Sequence, residues 1–530
     1  MDEEATGVIG QTLTGMSATD LAGAIRERRV SAREVVEAHV NRIEAVDARL
    51  NAVVIPTFER ALAEADLADE AIARGEPVGP LHGVPITVKE QFDVSGTDAT
   101  FGLRARIGDR AAGDGPLVAK LRRAGAVIVG KTNLPQLMLA YETDNDVYGR
   151  ANNPWDLERT PGGSSGGEAA IIAAEGSPLG LAGDMGGSIR VPAHFCGIHG
   201  LKPTSGRLTN DDSPAQHAWT FAGQQAIVSQ PGPLARSVAD LSTAMRVLAE
   251  PDPNPVEPPV KMSAPEAIDL RGLRFGTYTG NNLFPVAPAL RRAVEEAANA
   301  LRSLGTEVVE LDPPDATEAM RIFVSIVTSG GPRSLSDALG GDKRHPILNE
   351  RSLGLKIPNA VRPALAWATQ ALGDRRRAFL MRSAGPRSAY DFWGLVRERD
   401  AFRRQFLASL DRGRLDGLIC PPHALPALTH GSGEELFAAA GQAVTYNLLG
   451  VPAGVVAATR VRRGEESDRP PSRDRSDRAA IGVEQGSAGL PVGVQVVARF
   501  WREDVVLAVM SALEAHFRAT PDYPSGPPLS

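Results

Sequence analysis

Short apolar runs alternate with helix-like stretches in the first half of the chain, and this alternation constrains the fold more than any other feature. Three such runs are Val84–Lys89, Ala126–Val129 and Leu179–Ala182. Helical patterns lie between them, at Leu117–Leu121 and Glu168–Ala174. Strands that alternate with helices are usually buried on both faces. The pattern therefore predicts an α/β fold with a largely covered sheet.

The rest of the chain is expected to join this core in a single domain over residues 1–530. Ser31 and Glu34 have the spacing of a capping box and indicate a helix near the N-terminus. A charged segment late in the chain should not bury apolar area, so we expect a mobile surface insertion there. The predicted parts are N-terminal helices over 1–75, a core over 80–245, a proline-rich connection over 251–265, a helical cap-like region over 275–400 and the charged insertion over 461–488.

Composition excludes several classes of protein. The formal net charge is -7, whereas a nucleic-acid binder usually presents a basic face. Cys196 and Cys420 are the two cysteines, which excludes a disulfide framework and fits a reducing cytoplasm. The sequence contains no run of about 18 apolar residues, so no membrane span is expected.

Two glycine–serine clusters, Gly162–Gly167 and Gly183–Arg190, are the candidates for chemistry. Glycines let a substrate approach the main chain, and successive N–H groups can form a nest for negative charge. A serine at the end of such a nest has oxyanion donors beside it, which acyl transfer requires. One such cluster alone would usually be a linker. Two clusters between strand-like and helix-like segments indicate a catalytic site.

A catalytic serine also needs a base. His194 and His199 are near Ser188 in sequence but are interpreted as structural residues. Lys89 ends an apolar strand, where desolvation would favour its neutral, proton-accepting form; the alternative is a surface lysine. Gly125–Thr132 also fits a phosphate-binding loop, but its variable positions are the strand itself, so we interpret it as a strand.

The chain resembles the amidase-signature family, and most closely its fatty-acid amide hydrolase branch. The matching stretches are Gly83–Glu90, Thr132–Gln136, Asn153–Trp155, Gly162–Gly167, Gly176–Leu181, Gly183–Thr204, Tyr446–Asn447, Pro452–Val456 and Gly489–Val492. The resemblance implies one large α/β domain with a mixed, twisted central sheet covered by helices. It also implies a hydrolase of amide C–N bonds that uses a small-molecule substrate and no metal or organic cofactor, and it leaves room for a homodimer.

The resemblance further implies a Ser–Ser–Lys triad. Its nucleophile falls on Ser188, its relay serine, reached through a cis peptide, on Ser164, and its base on Lys89. The remaining roles are assigned to the oxyanion donors Met185, Gly186, Gly187 and Ser188, to Met138, whose carbonyl would meet the substrate, and to the supporting residues Ser165, Asp184 and Arg190. Gly183 departs from the threonine or serine that the family usually has there.

A largely apolar or aryl amide is the predicted substrate, because of the resemblance and of apolar residues near the site, namely Met138, Leu139, Phe195 and Phe221. Two alternatives share the triad: a carbamate or ester hydrolase, and the glutamine-hydrolysing subunit of a tRNA amidotransferase, which requires partner subunits. A non-catalytic binding module is disfavoured because all three triad positions are intact.

Overall fold

A computed structural model describes residues 13–210, 226–251, 260–348 and 355–529, and eleven strands within them form one sheet. The strands are β1 Val53–Pro56, β2 Pro85–Lys89, β3 Val127–Thr132, β4 Leu179–Asp184, β5 His199–Lys202, β6 Gln230–Ala235, β7 Arg274–Thr277, β8 Glu307–Glu310, β9 Gly417–Cys420, β10 Ala453–Arg460 and β11 Pro491–Ala498. Their spatial order is β1-β3-β2-β4-β6-β5-β10-β11-β9-β7-β8.

The sheet is mixed. Strand β2 pairs in parallel with β3 and β4, and β7 pairs in parallel with β8 and β9. The other neighbouring pairs are antiparallel. This confirms the predicted α/β fold and the mixed sheet that the resemblance implied.

Helices cover the sheet. Within the described residues they are α1 Ala18–Arg26, α2 Ala32–Leu50, α3 Phe58–Arg74, α4 Pro116–Arg123, α5 Gly166–Ala173, α6 Arg190–Cys196, α7 Val238–Leu248, α8 Pro288–Ser303, α9 Ala316–Val327, α10 Gly331–Leu339, α11 Arg362–Ala371, α12 Arg375–Ser383, α13 Ala389–Gly413, α14 Gly441–Leu449, α15 Arg475–Glu484 and α16 Glu503–Arg518. Every residue of β2 to β6, β9 and β11 is buried. Successive strand side chains point to opposite faces, so burial of all of them requires cover on both.

Local sequence explains where several helices begin and end. Ser31 and Glu34 form the predicted capping box at the start of α2. Asn51 ends that helix in a left-handed conformation, and Gly75 does the same for α3. Pro116 opens α4 at a position where a missing N–H costs nothing.

The sheet brings two chain segments to one edge. Strands β2 and β4 are parallel neighbours, with Val88 opposite Leu181. Their carboxyl ends, Lys89 and Asp184, therefore lie on the same side of the sheet. In α/β folds this is the edge at which ligands usually bind.

Two parts of the chain differ from expectation. The region over 275–400 is mostly helical, but the chain enters it through β7 and returns through β8, two four-residue strands too short to give a clear sequence pattern. Residues 461–488, predicted as a charged mobile insertion, contain packed structure in α15. Ala480 and Val483 of α15 are buried in the core, and many charges are paired, as in the buried contact of 2.8 Å between Arg469 and Glu484.

Among the described residues, no helix combines the length and the apolar character that crossing a bilayer requires. Part of the predicted connection, residues 252–259, lies outside the described residues, as does Phe221.

Candidate active site

Lys89 is the last residue of β2, and its side chain is 1% exposed. Its Nζ donates a hydrogen bond of 2.7 Å to Ser164 Oγ. The strand that holds it is buried along its whole length, so the amine is held among packed groups rather than in water. The structure thus brings together two residues that are 75 positions apart in sequence.

Burial lowers the pKa of the Lys89 ammonium to about 7, while the charges of Asp184, Glu168 and Glu90 act in the opposite direction. A desolvated lysine loses its proton more easily because a low-dielectric environment disfavours the charged form. The amine can therefore accept a proton near neutral pH.

Ser164 is held in place by two close backbone approaches. The peptide between Gly163 and Ser164 is cis, as the resemblance implied. A Cβ at Gly163 would lie 2.3 Å from Ala140 O, and Gly162 has a φ of +90° and lies against α6, with Pro192 Cα 3.1 Å from where its Cβ would be. Glycine is required at both positions, since any side chain would displace backbone.

Ser188 lies in the turn between β4 and α6 and is half-buried, at the same sheet edge as Lys89. Asp184 shapes this turn, because its carboxylate accepts hydrogen bonds from Gly187 N at 2.8 Å and Ile189 N at 3.1 Å. Ser165, the residue before α5, donates from its hydroxyl to Gly183 O at 3.4 Å and so ties the first glycine–serine cluster to the second.

Three main-chain donors of the turn have no acceptor in the part of the chain that the structure describes. Among the described residues, the N–H groups of Met185, Gly186 and Ser188 engage no acceptor. The fourth predicted oxyanion donor is different, because Gly187 N–H already binds the Asp184 carboxylate. The Gly187 N–H thus fixes the turn, and its use as an oxyanion donor stays a prediction.

A buried ion pair between Arg190 and Asp184 stabilises this turn. The Arg190 guanidinium donates to both carboxylate oxygens of Asp184 at 3.0 Å, and neither side chain is exposed. Arg190 also donates to Gln495 Oε1 at 2.8 Å and to Ala443 O at 3.0 Å, while Asn447 Nδ2 donates to Asp184 Oδ1 at 2.9 Å. Burial alone would raise the pKa of Asp184, but Arg190 holds it well below its usual range.

Aromatic and apolar side chains form the wall beside the free donors. Tyr141 donates its hydroxyl to Gly186 O at 2.6 Å, and its ring stacks on Phe437 with centroids 5.6 Å apart. Phe323 of α9 reaches the same glycine, with its Cζ 3.3 Å from where a Cβ would be. Sequence reasoning missed Tyr141 and Phe323, because nothing in their local sequence relates them to a turn more than 40 residues away.

The residues predicted to lie near the substrate differ in where the structure places them. Met138 and Leu139 are half-buried in a turn in which Met138 has a φ of +58°, so both remain candidates for substrate contact. Phe195 is fully buried in α6 and packs edge-on against His423, with centroids 5.2 Å apart, so it is a core residue and not part of the site wall. Phe221 is outside the described residues.

The nearby histidines are structural, as predicted. Burial lowers the pKa of His194 to about 4, and its ring accepts a hydrogen bond from Gly493 N at 2.9 Å. His199 accepts from Ala457 N at 3.2 Å. Across the described ranges, no group of three or more histidine, cysteine or acidic side chains is arranged to hold a metal ion.

Comparison with known proteins gives consistent matches. The family model described as Amidase matches residues 34–507. Fatty-acid amide hydrolase 1 of Sus scrofa is 35% identical over 445 residues, which cover 82% of this chain and 76% of the relative. A glutamyl-tRNA(Gln) amidotransferase subunit from Salinispora arenicola is 32% identical over 520 residues, or 95% of this chain and 97% of the relative. A solved structure of fatty acid amide hydrolase superposes with a TM-score of 0.81 at 24% identity, covering 96% of this chain and 86% of the other, and shows the shared fold.

Proposed function

Since the chain belongs to the amidase family and is a hydrolase of amide C–N bonds, we propose that it works through an acyl-enzyme with Ser188 as nucleophile, Ser164 as proton relay and Lys89 as base. The observation that carries this proposal is the 2.7 Å contact between Lys89 Nζ and Ser164 Oγ inside a buried site. A neutral amine in that position can accept a proton from the serine hydroxyl.

The reaction begins with transfer of two protons. Ser164 passes its hydroxyl proton to Lys89 Nζ while it takes the proton of Ser188. The freed Ser188 Oγ attacks the amide carbonyl, and the carbonyl oxygen becomes an oxyanion. When the intermediate collapses, the C–N bond breaks and Ser164 returns a proton to the departing nitrogen. Water then hydrolyses the ester of Ser188 by the same relay, which regenerates the free serine.

The main-chain donors of the turn are suited to the oxyanion. The N–H groups of Met185, Gly186 and Ser188 have no other acceptor among the described residues, whereas Gly187 N–H is used to fix the turn. Donors that are oriented before the reaction cost no reorganisation when charge develops, and loss of one such donor typically lowers kcat by about 10²–10³.

The wall of the site favours a largely apolar or aryl amide. Phe323 and Tyr141 lie against the turn that would hold the oxyanion, and Met138 and Leu139 lie in a half-buried turn. Burying a methylene contributes about 0.8 kcal/mol, so kcat/KM should rise with acyl length until the pocket is filled.

Hydrolysis of glutamine within an amidotransferase is a second candidate function, because the Salinispora arenicola relative matches nearly the whole chain. The apolar wall argues against it, since free glutamine carries two charges that an aromatic wall does not pair. Carbamates and esters would use the same nucleophile and oxyanion donors. An ester differs from the matched amide in its leaving group, and a carbamate also carries a heteroatom on the acyl side of the carbonyl.

Labelling with a fluorophosphonate tests the catalytic assignment. We expect one covalent adduct per chain, mapped to Ser188 by peptide mass, because an activated serine beside oxyanion donors is what this probe modifies. Ser188→Ala should abolish the adduct, and Ser165→Ala, a serine of the same site without an assigned proton transfer, is the matched control that should retain it. A wild-type adduct on Ser164 with Ser188 unmodified would contradict the assignment.

A series of para-nitroanilides from acetyl to dodecanoyl tests the substrate class, with glutamine and matched carbamates and esters measured in parallel. We expect kcat/KM to rise from acetyl to a medium chain length or to favour an aromatic acyl group. A flat or falling series with glutamine preferred would favour the amidotransferase function, which co-purification of partner subunits would support.

A further inference from the structure

One buried carboxylate beside the triad has no part in the reaction described above. Glu168 is the third residue of α5, four positions after Ser164, and its side chain is completely buried. All other residues of that helix are glycine, alanine or isoleucine. Burial of a carboxylate in such surroundings is costly unless other groups compensate for it.

Two threonines that adjoin Lys89 hold this carboxylate. Thr132 is the cross-strand partner of Lys89 in β3, and its hydroxyl donates to Glu168 Oε2 at 2.6 Å. Thr87 precedes Lys89 by two residues in β2, and its hydroxyl donates to Glu168 Oε1. Residues two apart on a strand share a face, and directly opposed residues do so as well. The carboxylate is therefore placed within about one strand spacing of the Lys89 side chain.

A third strand leaves room for the carboxylate. A Cβ at Gly180, in β4, would lie 1.8 Å from Glu168 Oε1. Glycine at that position lets the acid lie across β2, β3 and β4 at once. Three strands and the first turn of α5 thus form a cradle beneath the base, which we call the Glu168 cradle.

Three acids act on the charge of Lys89, and Glu168 differs from the other two in its partners. Asp184 is already paired with Arg190. Glu90 accepts hydrogen bonds from Thr100 N and Phe101 N, and its charge acts on Lys131. Both acids also act on the Lys89 charge, Asp184 more strongly than Glu168, but Asp184 is paired with Arg190 and Glu90 interacts with Lys131.

Glu168 forms no ion pair with an arginine among the described contacts, and Lys89 is the cation whose charge lowers its pKa. Burial raises the pKa of Glu168 to about 7, while the Thr132 and Thr87 hydroxyls and the Lys89 charge lower it. Burial lowers the pKa of Lys89 to about 7 as well, so the pKa values of the two groups are similar.

We propose that Glu168 is a positioning residue whose carboxylate stabilises the Lys89 ammonium that forms when Ser188 is deprotonated. The inference rests on the proposed function, because it gives Lys89 the role of base. The proton moves from Ser188 through Ser164 to Lys89 Nζ, where the positive charge develops opposite the Glu168 carboxylate, and it leaves again with the departing nitrogen. No proton is transferred to Glu168 in this sequence.

The test is the pH profile of kcat/KM for an acyl para-nitroanilide with Glu168→Gln. The amide keeps the size of the carboxyl and can still bond both threonines, but it lacks the charge. A negative charge within about 4–6 Å raises a lysine pKa, so its removal should move the acid limb of the profile to lower pH by at least about one unit. The plateau should fall at least about tenfold, because the ammonium loses its counter-charge in the transition state.

Two further variants separate charge from structure. Glu168→Asp retains the charge and should return the acid limb to within about half a unit of wild type. Glu484→Gln removes a buried carboxylate that binds Ser467 and Arg469 and makes no described contact with a triad residue, so it should leave the acid limb in place. If Glu168→Gln loses activity without a shift of the limb, Glu168 is merely structural and the inference is wrong.

Loss of folding and failure of the proposed function have separate outcomes. If Glu168→Gln does not fold, the double variant Lys89→Met/Glu168→Gln removes both charges and should recover a folded protein; if it too does not fold, the inference is wrong. If Lys89→Ala keeps wild-type turnover, the proposed function itself fails, whereas a required Lys89 with an unmoved acid limb overturns the role of Glu168 alone.

Discussion

Replacement of Arg190 by methionine should strongly destabilise the protein, because it leaves the buried Asp184 carboxylate without its ion-pair partner. Arg190 and Asp184 are both fully buried and are joined by two hydrogen bonds of 3.0 Å. Methionine fills much of the same volume but donates nothing. Asp184 would keep its bonds from main-chain N–H groups and from Asn447, and the influence of the Lys202 charge, yet would lose the cation bonded to both of its oxygens.

The magnitude follows from the burial of the pair. Removing one partner of a buried ion pair costs about 3–5 kcal/mol, against a total stability of about 5–15 kcal/mol for a typical protein. Arg190 also donates to Gln495 and Ala443, and the loss of those bonds adds to the cost. We therefore expect a free energy of unfolding at least about 3 kcal/mol below wild type at pH 8.

The loss should depend on pH. In wild type the folded-state pKa of Asp184 lies below its ordinary value, so its stabilising contribution is present above the unfolded pKa and is lost only as pH falls through the folded one. Without Arg190 the buried carboxyl has a raised pKa, and protonation relieves its unpaired charge as pH falls. The gap between wild type and variant should therefore be largest at about pH 8 and narrow towards about pH 5.

Urea unfolding followed by tryptophan fluorescence at both pH values measures this gap. Arg159→Met is the matched control, since Arg159 is also buried but pairs at 3.0 Å with Asp156, whose side chain is 36% exposed, and otherwise donates to backbone oxygens such as Ala427 O and Val483 O. Its loss therefore leaves no buried carboxylate without a partner. Its cost should be the same at both pH values. A gap below about 1 kcal/mol for Arg190→Met at pH 8, or one that widens as pH falls, would refute the reasoning.

Three further outcomes are expected. Wild-type kcat/KM should rise with pH through about 7 as Lys89 loses its proton, and folded Lys89→Ala should lose at least about 10²-fold, so wild-type turnover in that variant would assign another base. Gly180→Ala should cost about 1–3 kcal/mol in urea unfolding, because its Cβ would overlap Glu168; unchanged stability would show that the carboxylate can move away freely. Tyr141→Phe removes the hydroxyl that holds Gly186 O, so kcat should fall with little change in KM, and a change confined to KM would indicate a substrate contact instead.

Much of the fold could be predicted from local sequence. The capping box at Ser31 and the strand that ends at Lys89 lie where their patterns indicated, and the strand predicted over Ala126–Val129 is found at Val127–Thr132. These features depend on residues close together in the chain, so hydrophobic periodicity and helix-capping residues identify them. Strands β7 and β8 escaped prediction because each is four residues long and is defined by its pairing with neighbours in the sheet.

The features of the candidate site also separate into those visible in the sequence and those that depend on the fold. The two glycine–serine clusters and the lysine after an apolar run are visible in the sequence. The close backbone approaches at Gly162 and Gly163 require glycine, and a cluster of glycines can be recognised without knowing which groups approach them. The sequence alone could not tell that Gly187 N–H is taken by Asp184, since the direction of a main-chain donor depends on how the turn closes.

The sequence by itself therefore determined the family, the α/β class and the candidate triad, through motifs whose chemistry is local. Only the tertiary structure decided which charged and apolar side chains surround the triad residues. Glu168 comes to lie beneath Lys89 because β2, β3 and β4 converge on one helix, and Phe323 reaches Gly186 from a helix more than 130 residues away. Such contacts depend on the packing of side chains across the whole domain, which no local pattern specifies.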